Sequence, residues 1–414
     1  MSIGSGCENW WVTIRSPIER ALTWATVTGA TAKGVLFGVS ALYFTTVVGL
    51  SPGVVGAGLT VAGGAGIIAA FGAGRLSDRF GAHRVLITAT VGQGAALAVY
   101  CFARTLIAFL IVACLAAGTQ AAQRTAQATL LARHFTGPGR IETRARLRVA
   151  TNVFVGVGSA LAAAALAVGT AAAYTTAMLV AALLVLYSTV PLRVLRGLPH
   201  ESAAAPGTTP AAGRSPLRDR RYLAVAGLNA VVTLHFGLLT VGVPLWIAGH
   251  TDAPAATVAL LLVLNTIVVV LFQVRAARLV PDVPTAGKVV FQATLLLALA
   301  CLLYAAAALG SVVIAVAVLI LAVLAHSAAE VLSEAGGWEL AFELADPRNA
   351  GAYQGVSQTG FAIGAALAPA VVTATAIGHG TAGWLLLGGI FLAAGTGTHV
   401  VTARSSARPV VRQR

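Results

Sequence analysis

Charge is scarce in this chain. Asp, Glu, Lys and Arg make up 10% of its 414 residues, and Lys33 and Lys288 are its lysines. The four cysteines, Cys7, Cys101, Cys114 and Cys301, lack paired spacing, which argues against a disulfide framework and against a cysteine metal site. No G-x-x-x-x-G-K-[ST] loop occurs, which excludes an ATP-driven pump of that type. There is no Cys/His cluster, no Ser-His-Asp arrangement in a loop, and no stretch long enough for an ordinary soluble domain. The reading is therefore not an enzyme: no catalytic residue, metal or cofactor is assigned.

What the chain has instead is apolar length. Hydrophobic residues make up 58% of it, and mean hydropathy is +0.87. A hydrocarbon core of roughly 30 Å takes about 20 apolar residues per helical crossing. Twelve segments qualify, at about 20–48, 54–73, 84–103, 106–131, 149–169, 173–192, 222–248, 254–274, 286–308, 311–337, 351–376 and 381–402. Helices satisfy their own backbone in lipid. Gly and Ala crowd the segments, as small residues do where helices approach closely.

The basic residues orient them. Of 27 Lys and Arg, all but Lys33, Arg104 and Arg124 fall in the two tails or in loops on one side. The positive-inside rule makes that side, and both termini, cytoplasmic. The net charge of +14 thus calls for no nucleic acid. Arg140, Arg144, Arg146 and Arg148 are read as loop residues set against anionic lipid headgroups. Trp10 and Trp11 read as interfacial anchors, and no cleavable signal is evident. The localisation expected is the cytoplasmic membrane, multi-pass, as a monomer.

The longest connection, 193–221, is rich in Ala, Pro, Gly and Thr with basic ends, and reads as a flexible linker. It divides the chain into 1–192 and 222–414, six spans each. A weak repeat supports the division: the approaches to span 5 (139–165) and span 11 (347–371) correspond. The fold class is an all-α membrane protein, twelve transmembrane helices in two pseudo-symmetric six-helix bundles, a layout suited to alternating access around a midplane site.

Loop 2–3 reads GRLSDRFGAHRVL. Gly74, Leu76, Asp78, Arg79, Gly81 and Arg84 resemble the G-x-L-a-D-R-x-G-r-k-r signature of the major facilitator superfamily, with Ala82 and His83 at the first basic positions. GAYQG (351–355) after Pro347-Arg348 resembles the segment entering span 11 of drug-efflux members, although Asn349 and Ala350 stand where its Arg would be. Span 5 lacks the Pro of the antiporter G-P-x-x-G-G ending. The resemblance implies that Gly74, Asp78, Arg79, Gly81 and Arg84 form a conformational latch. Gly74 and Gly81 would permit close approach and a tight turn. Asp78 would pair with a neighbouring Arg and face the positive start of span 11. Positive-inside charge alone also accounts for Arg79 and Arg84.

Ionisable groups inside a membrane are costly and mark pathways. Here they are Lys33 in span 1, Arg124 in span 4, His235 in span 7, and His326, Glu330 and Glu334 in span 10. By the resemblance, spans 1, 4, 7 and 10 line a central cavity. Lys33 lies roughly 20 Å into its span at 1.5 Å per residue. Gln120, Arg124 and Gln127 share one helical face. His326, Glu330 and Glu334 recur every four residues. Lys33, Arg124, Gln120, Gln127, Asn229, His235 and Glu334 are the candidate substrate-binding residues, and Glu330 with His326 the candidate proton-coupling pair. Open alternatives are a permanent pair of Glu330 with Lys33, Arg124 or His326, structural pairing of Arg124, and a packing role for His235. Gly336-Gly337 reads as a break, leaving Glu339 and Glu343 at the interface. The function expected is proton-coupled efflux of a small organic molecule, a drug or natural product. The alternative is a proton-coupled uptake symporter for a polar or anionic metabolite.

Overall fold

A computed structural model of the chain describes residues 16–103, 105–197 and 213–403. Cys7, Trp10, Trp11, Arg104, the centre of the linker (198–212) and the basic tail from 404 lie outside the described residues. Within them the chain is helical throughout. The helices are α1 (Pro17–Leu42), α2 (Pro52–Phe80), α3 (Ala82–Tyr100), α4 (Leu106–His134), α5 (Pro138–Val168), α6 (Ala171–Tyr187), α7 (in two pieces, Arg220–Thr233 and Val243–His250), α8 (Thr257–Ala277), α9 (Val283–Ala306), α10 (Val312–Glu343), α11 (Ala350–Val372) and α12 (Gly378–Ala403). Among the described residues, ten ranges are long and apolar enough to cross a bilayer. The last of these, Pro347–Ala403, contains both α11 and α12, and the 19-residue α3 lies outside the ten.

Local chemistry explains where the helices start. The side chains of Ser16, Ser51, Thr105, Thr170, Asp219 and Asp282 each accept a hydrogen bond from the backbone N–H three residues on. Such N-caps satisfy donors that the first turn leaves orphaned. Gly81, with φ of 90°, is the single residue between α2 and α3, and a side chain there would be strained. Helix α7 changes hand-hold midway: Pro244 cannot donate to the carbonyl four residues back, and a π-helical turn, Leu238–Gly242, precedes it.

Two expectations need correction. Helix α5 begins at Pro138, not near 149, so Arg140, Arg144, Arg146 and Arg148 are helical. They turn towards protein rather than headgroups: Arg140 is 6% exposed and pairs with Glu343. A dense run of arginines suggested a loop, but their carboxylate and aromatic partners lie far away in sequence. Nor does α10 break at Gly336-Gly337; it continues to Glu343 and buries Glu339. A Cβ at Gly336 would lie 2.9 Å from the Ala286 carbonyl oxygen and 2.7 Å from Val290. Gly336 lets α10 press against α9, and Gly337 lets it approach Asn229 of α7.

Helices α1–α6 pack mainly on one another, as do α7–α12. Large apolar side chains on the outside, such as Ile68, Phe102, Leu309 and Val313, are exposed and suit a hydrocarbon solvent. The two groups meet where α2 crosses α11 and where α5 runs beside α8 and α10. At the first crossing the backbones touch: a Cβ on Gly74 would strike the Gly351 carbonyl oxygen and lie 2.9 Å from Gly355 Cα.

Candidate substrate cavity and gate

A cavity of about 330 Å³ opens between the two helix groups. Lys33 of α1, the Gln120, Gln123, Arg124 and Gln127 stripe of α4, Arg144 and Arg148 of α5, Asn229 of α7 and Glu334 of α10 all line it. Close helix crossings set this geometry. A Cβ at Gly158 would strike the Thr31 carbonyl oxygen and lie 3.0 Å from Gly34 Cα, so α1 lies directly on α5 beside Lys33. The polar stripe is partly tied down: Gln123 donates to Gln93 at 2.6 Å and Gln127 to the Thr26 hydroxyl at 3.3 Å. Arg124 is exposed to the cavity, and the Lys33 ammonium lies 5.1 Å from the centre of the Phe37 ring.

His235, His326 and Glu330 sit behind the wall rather than on it. His235 is 1% exposed and His326 fully buried. Their rings share a hydrogen bond at 3.2 Å, and the Tyr304 hydroxyl approaches the other nitrogen of His326 at 3.4 Å. One donor atom from each of His235, His326 and Glu330 falls within 4.8 Å of the other two. Both Glu330 oxygens are engaged, however. Arg148 donates to one at 2.9 Å and Asn265 to the other at 3.0 Å. None of the partners considered for Glu330 from sequence was Arg148.

The candidate gate lies at the end of the bundle that carries the basic loops. Asp78 accepts from the backbone N–H of Gly351 at 2.8 Å and of Ala352 at 2.7 Å, both in the first turn of α11, and from Arg133 at 2.6 Å. It therefore pairs with an arginine and faces a helix N-terminus, and the arginine is Arg133 of α4. Arg79 and Arg84 are exposed, and Arg79 lies over Phe80. A second seam joins α5 to α10. Arg140, Arg144 and Arg148 recur every four residues, as do Glu330, Glu334, Trp338 and Phe342 on the antiparallel partner. Arg140 pairs with Glu343 and lies 4.7 Å from the Phe342 ring centre. Arg144 lies 5.3 Å from Trp338, and Arg148 is 4.0 Å from Glu334. Arg146 bridges Glu19 of α1 and Glu142, and Glu142 also accepts from Arg278 at the end of α8 at 2.7 Å.

Comparison with known proteins decides the family. A profile described as Major Facilitator Superfamily matches residues 22–369. The chain belongs to this superfamily, whose members are transporters. No curated protein matches it. Several solved structures share the superfamily fold at low identity. The human organic anion transporter MFSD10 (TETRAN) is 16% identical, with a TM-score of 0.71, over 92% of this chain and 99% of its own. A bacterial homologue of the iron transporter ferroportin, solved in an outward-facing state, is 14% identical with a TM-score of 0.69, over 94% and 100%. The proton:xylose symporter XylE is 13% identical with a TM-score of 0.69, over 95% and 98%. At these identities the likeness establishes the fold alone.

In this superfamily member the candidate gate and the carboxylates beside it have partners that the loop 2–3 signature did not reveal: Arg133 on Asp78, Arg148 on Glu330 and Glu334, Arg144 beside Trp338, and Asn265 on Glu330. A signal for two of them was present in the sequence. The four-residue period of arginines from Arg140 to Arg148 matches the period of span 10 from Glu330 to Phe342, and two such stripes on antiparallel helices can face each other throughout.

Proposed function

We propose that this transporter exports an organic anion, of drug or natural-product kind, in exchange for protons. The observation carrying the reading is the pair Lys33 and Arg124. Both cations face the cavity, and among the described residues neither has a carboxylate within ion-pair distance. Ionised groups in a low-dielectric cleft are costly unless compensated, and a bound anion compensates them. The organic anion transporter among the structural neighbours is consistent with this charge pattern.

Proton coupling follows from Arg148 and Glu330. They belong to different helix groups, so their ion pair exists only while the gate is shut. Protonating Glu330 removes its charge and one of the contacts holding the gate. A proton arriving from the open side, through Glu330 and the adjoining His326, releases the lock; the transporter then opens at the basic end, where the proton leaves and the anion enters. By the positive-inside rule that end is cytoplasmic, which makes the exchange an efflux.

The test uses inverted membrane vesicles with an imposed pH gradient and a panel of fluorescent organic anions. Uptake into the vesicle lumen, driven by the gradient and reduced by Lys33→Gln or Arg124→Gln, is expected. Movement in the opposite direction together with protons would make the protein an uptake symporter. Gradient-driven transport of cations with no transport of anions would overturn the anion reading.

A further inference from the structure

Four cations line the cavity: Lys33, Arg124, Arg144 and Arg148. Among the described residues, the carboxylates that answer them are two. Arg148 binds Glu330 at 2.9 Å and stands 4.0 Å from Glu334, which is also within electrostatic reach of Arg144. These two carboxylates match the two guanidiniums of the cavity floor. The remaining acids nearby are committed elsewhere: Glu19 and Glu142 to Arg146 and Arg278, Asp78 to Arg133, and Glu343 to Arg140. Glu339 is buried in α10 and is absent from the cavity wall.

Among the described residues Lys33 and Arg124 are left over, and both line this one cavity. Two like charges in a cleft walled by low dielectric repel more strongly than they would in water. A single negative charge would balance one of them and leave the other uncompensated. We infer that the solute carries two negative charges, one for Lys33 and one for Arg124, as a dicarboxylate or a phosphate monoester does. The guanidinium of Arg124 offers a fork that suits either group, while the Lys33 ammonium is a point charge on a flexible stem. Around these cations, Leu36, Leu97 and Phe361 supply apolar wall for a carbon skeleton. This inference rests on the organic-anion reading and narrows it.

The experiment is calorimetric titration of the purified full chain with five probes. Terephthalate is a dicarboxylate and phenyl phosphate a phosphate monoester; 4-methylbenzoate is the monoanion of similar shape, terephthalamide the neutral analogue, and tetraphenylphosphonium a lipophilic cation. At least one dianion is expected to bind about tenfold or more tightly than 4-methylbenzoate, and which dianion does so separates the two sources. Lys33→Gln or Arg124→Gln should each abolish that preference. Lys33→Arg should keep it, which separates loss of charge from loss of folding. Equal affinity for mono- and dianions, or no dianion binding, overturns the two-charge inference. Binding of 4-methylbenzoate in that case leaves the organic-anion reading standing, whereas binding of terephthalamide or tetraphenylphosphonium alone overturns both.

Discussion

Asp78→Asn should shift the resting equilibrium towards opening at the basic end. The Asp78 carboxylate receives two N–H groups from the first turn of α11, at 2.8 and 2.7 Å, across the boundary between helix groups. Hydrogen bonds to a charged acceptor contribute roughly 1.5–3 kcal/mol each. A negative charge at a helix N-terminus adds about 0.3–1 kcal/mol. Asparagine keeps one oxygen, which can still accept one of the two, so the loss is roughly 2–4 kcal/mol. That corresponds to a change of about 30- to 700-fold in the closed-to-open ratio. Arg133→Gln is the control, because Arg133 and Asp78 lie in the same helix group and both inter-group bonds survive its loss. The assay is electron spin distance measurement between labels at cysteines introduced at Arg84 and Arg348, both exposed, in a chain without its native cysteines. Asp78→Asn should move most of the distribution to longer distances and Arg133→Gln much less. Identical distributions for wild type and Asp78→Asn would refute the latch.

Other consequences can be checked separately. Arg148→Gln leaves Glu330 and Glu334 without their shared cation; breaking a buried pair costs about 3–5 kcal/mol, read as a lower Tm that adding Glu330→Gln partly restores. Gly336→Val should destabilise the α9–α10 contact or prevent folding, since even a Cβ there would lie 2.7 Å from Val290; unchanged thermal stability would contradict the packing argument. Arg278→Gln should change stability by less than about 1 kcal/mol, because its side chain is 61% exposed. Asp346, outside the spans, accepts from the backbone N–H groups of Arg214 and Arg348. Burial pushes its carboxyl upwards, but these bonds and the two arginine charges outweigh it and hold the group below its ordinary range. A depressed carboxyl contributes stability above the ordinary carboxylate range and loses it only as pH falls through the lower native value. Hydrogen exchange at the Arg214 amide should therefore show unchanged protection from neutral to mildly acid pH, loss in stronger acid, and loss at every pH in Asp346→Ala.

Much of the architecture was legible because lipid imposes a simple rule: long apolar runs become helices, and charge marks their ends. Span positions, the Gly74–Gly81 signature and the intramembrane Lys33, Arg124 and Glu330 follow from that rule and from family resemblance. The start of α5 did not, since charge density there signalled a loop until α10 supplied its partners. Gly336-Gly337 misled for a related reason. Glycine lowers helix propensity locally, yet at Gly336 the close contact with Ala286 and Val290 prevails, and at Gly337 that with Asn229. His235 was recognisable as an intramembrane polar group, but it falls in the interruption of α7 after Thr233, and its place behind the wall is a matter of packing that hydropathy does not encode. Arg148 as the partner of Glu330 was hidden most deeply, because 182 residues separate the two.

In the proposed mechanism Glu330 makes transport depend on protons. Its most direct test compares wild type and Glu330→Gln in proteoliposomes by two assays, using an anion that the wild type transports. With no pH gradient, exchange of labelled for unlabelled anion requires the cavity and the gate but no net proton movement. With a gradient, accumulation requires both. Glu330→Gln is expected to retain exchange and lose gradient-driven accumulation, together with the accompanying proton flux. Normal accumulation and proton flux in Glu330→Gln would refute this mechanism and shift the coupling site away from Glu330.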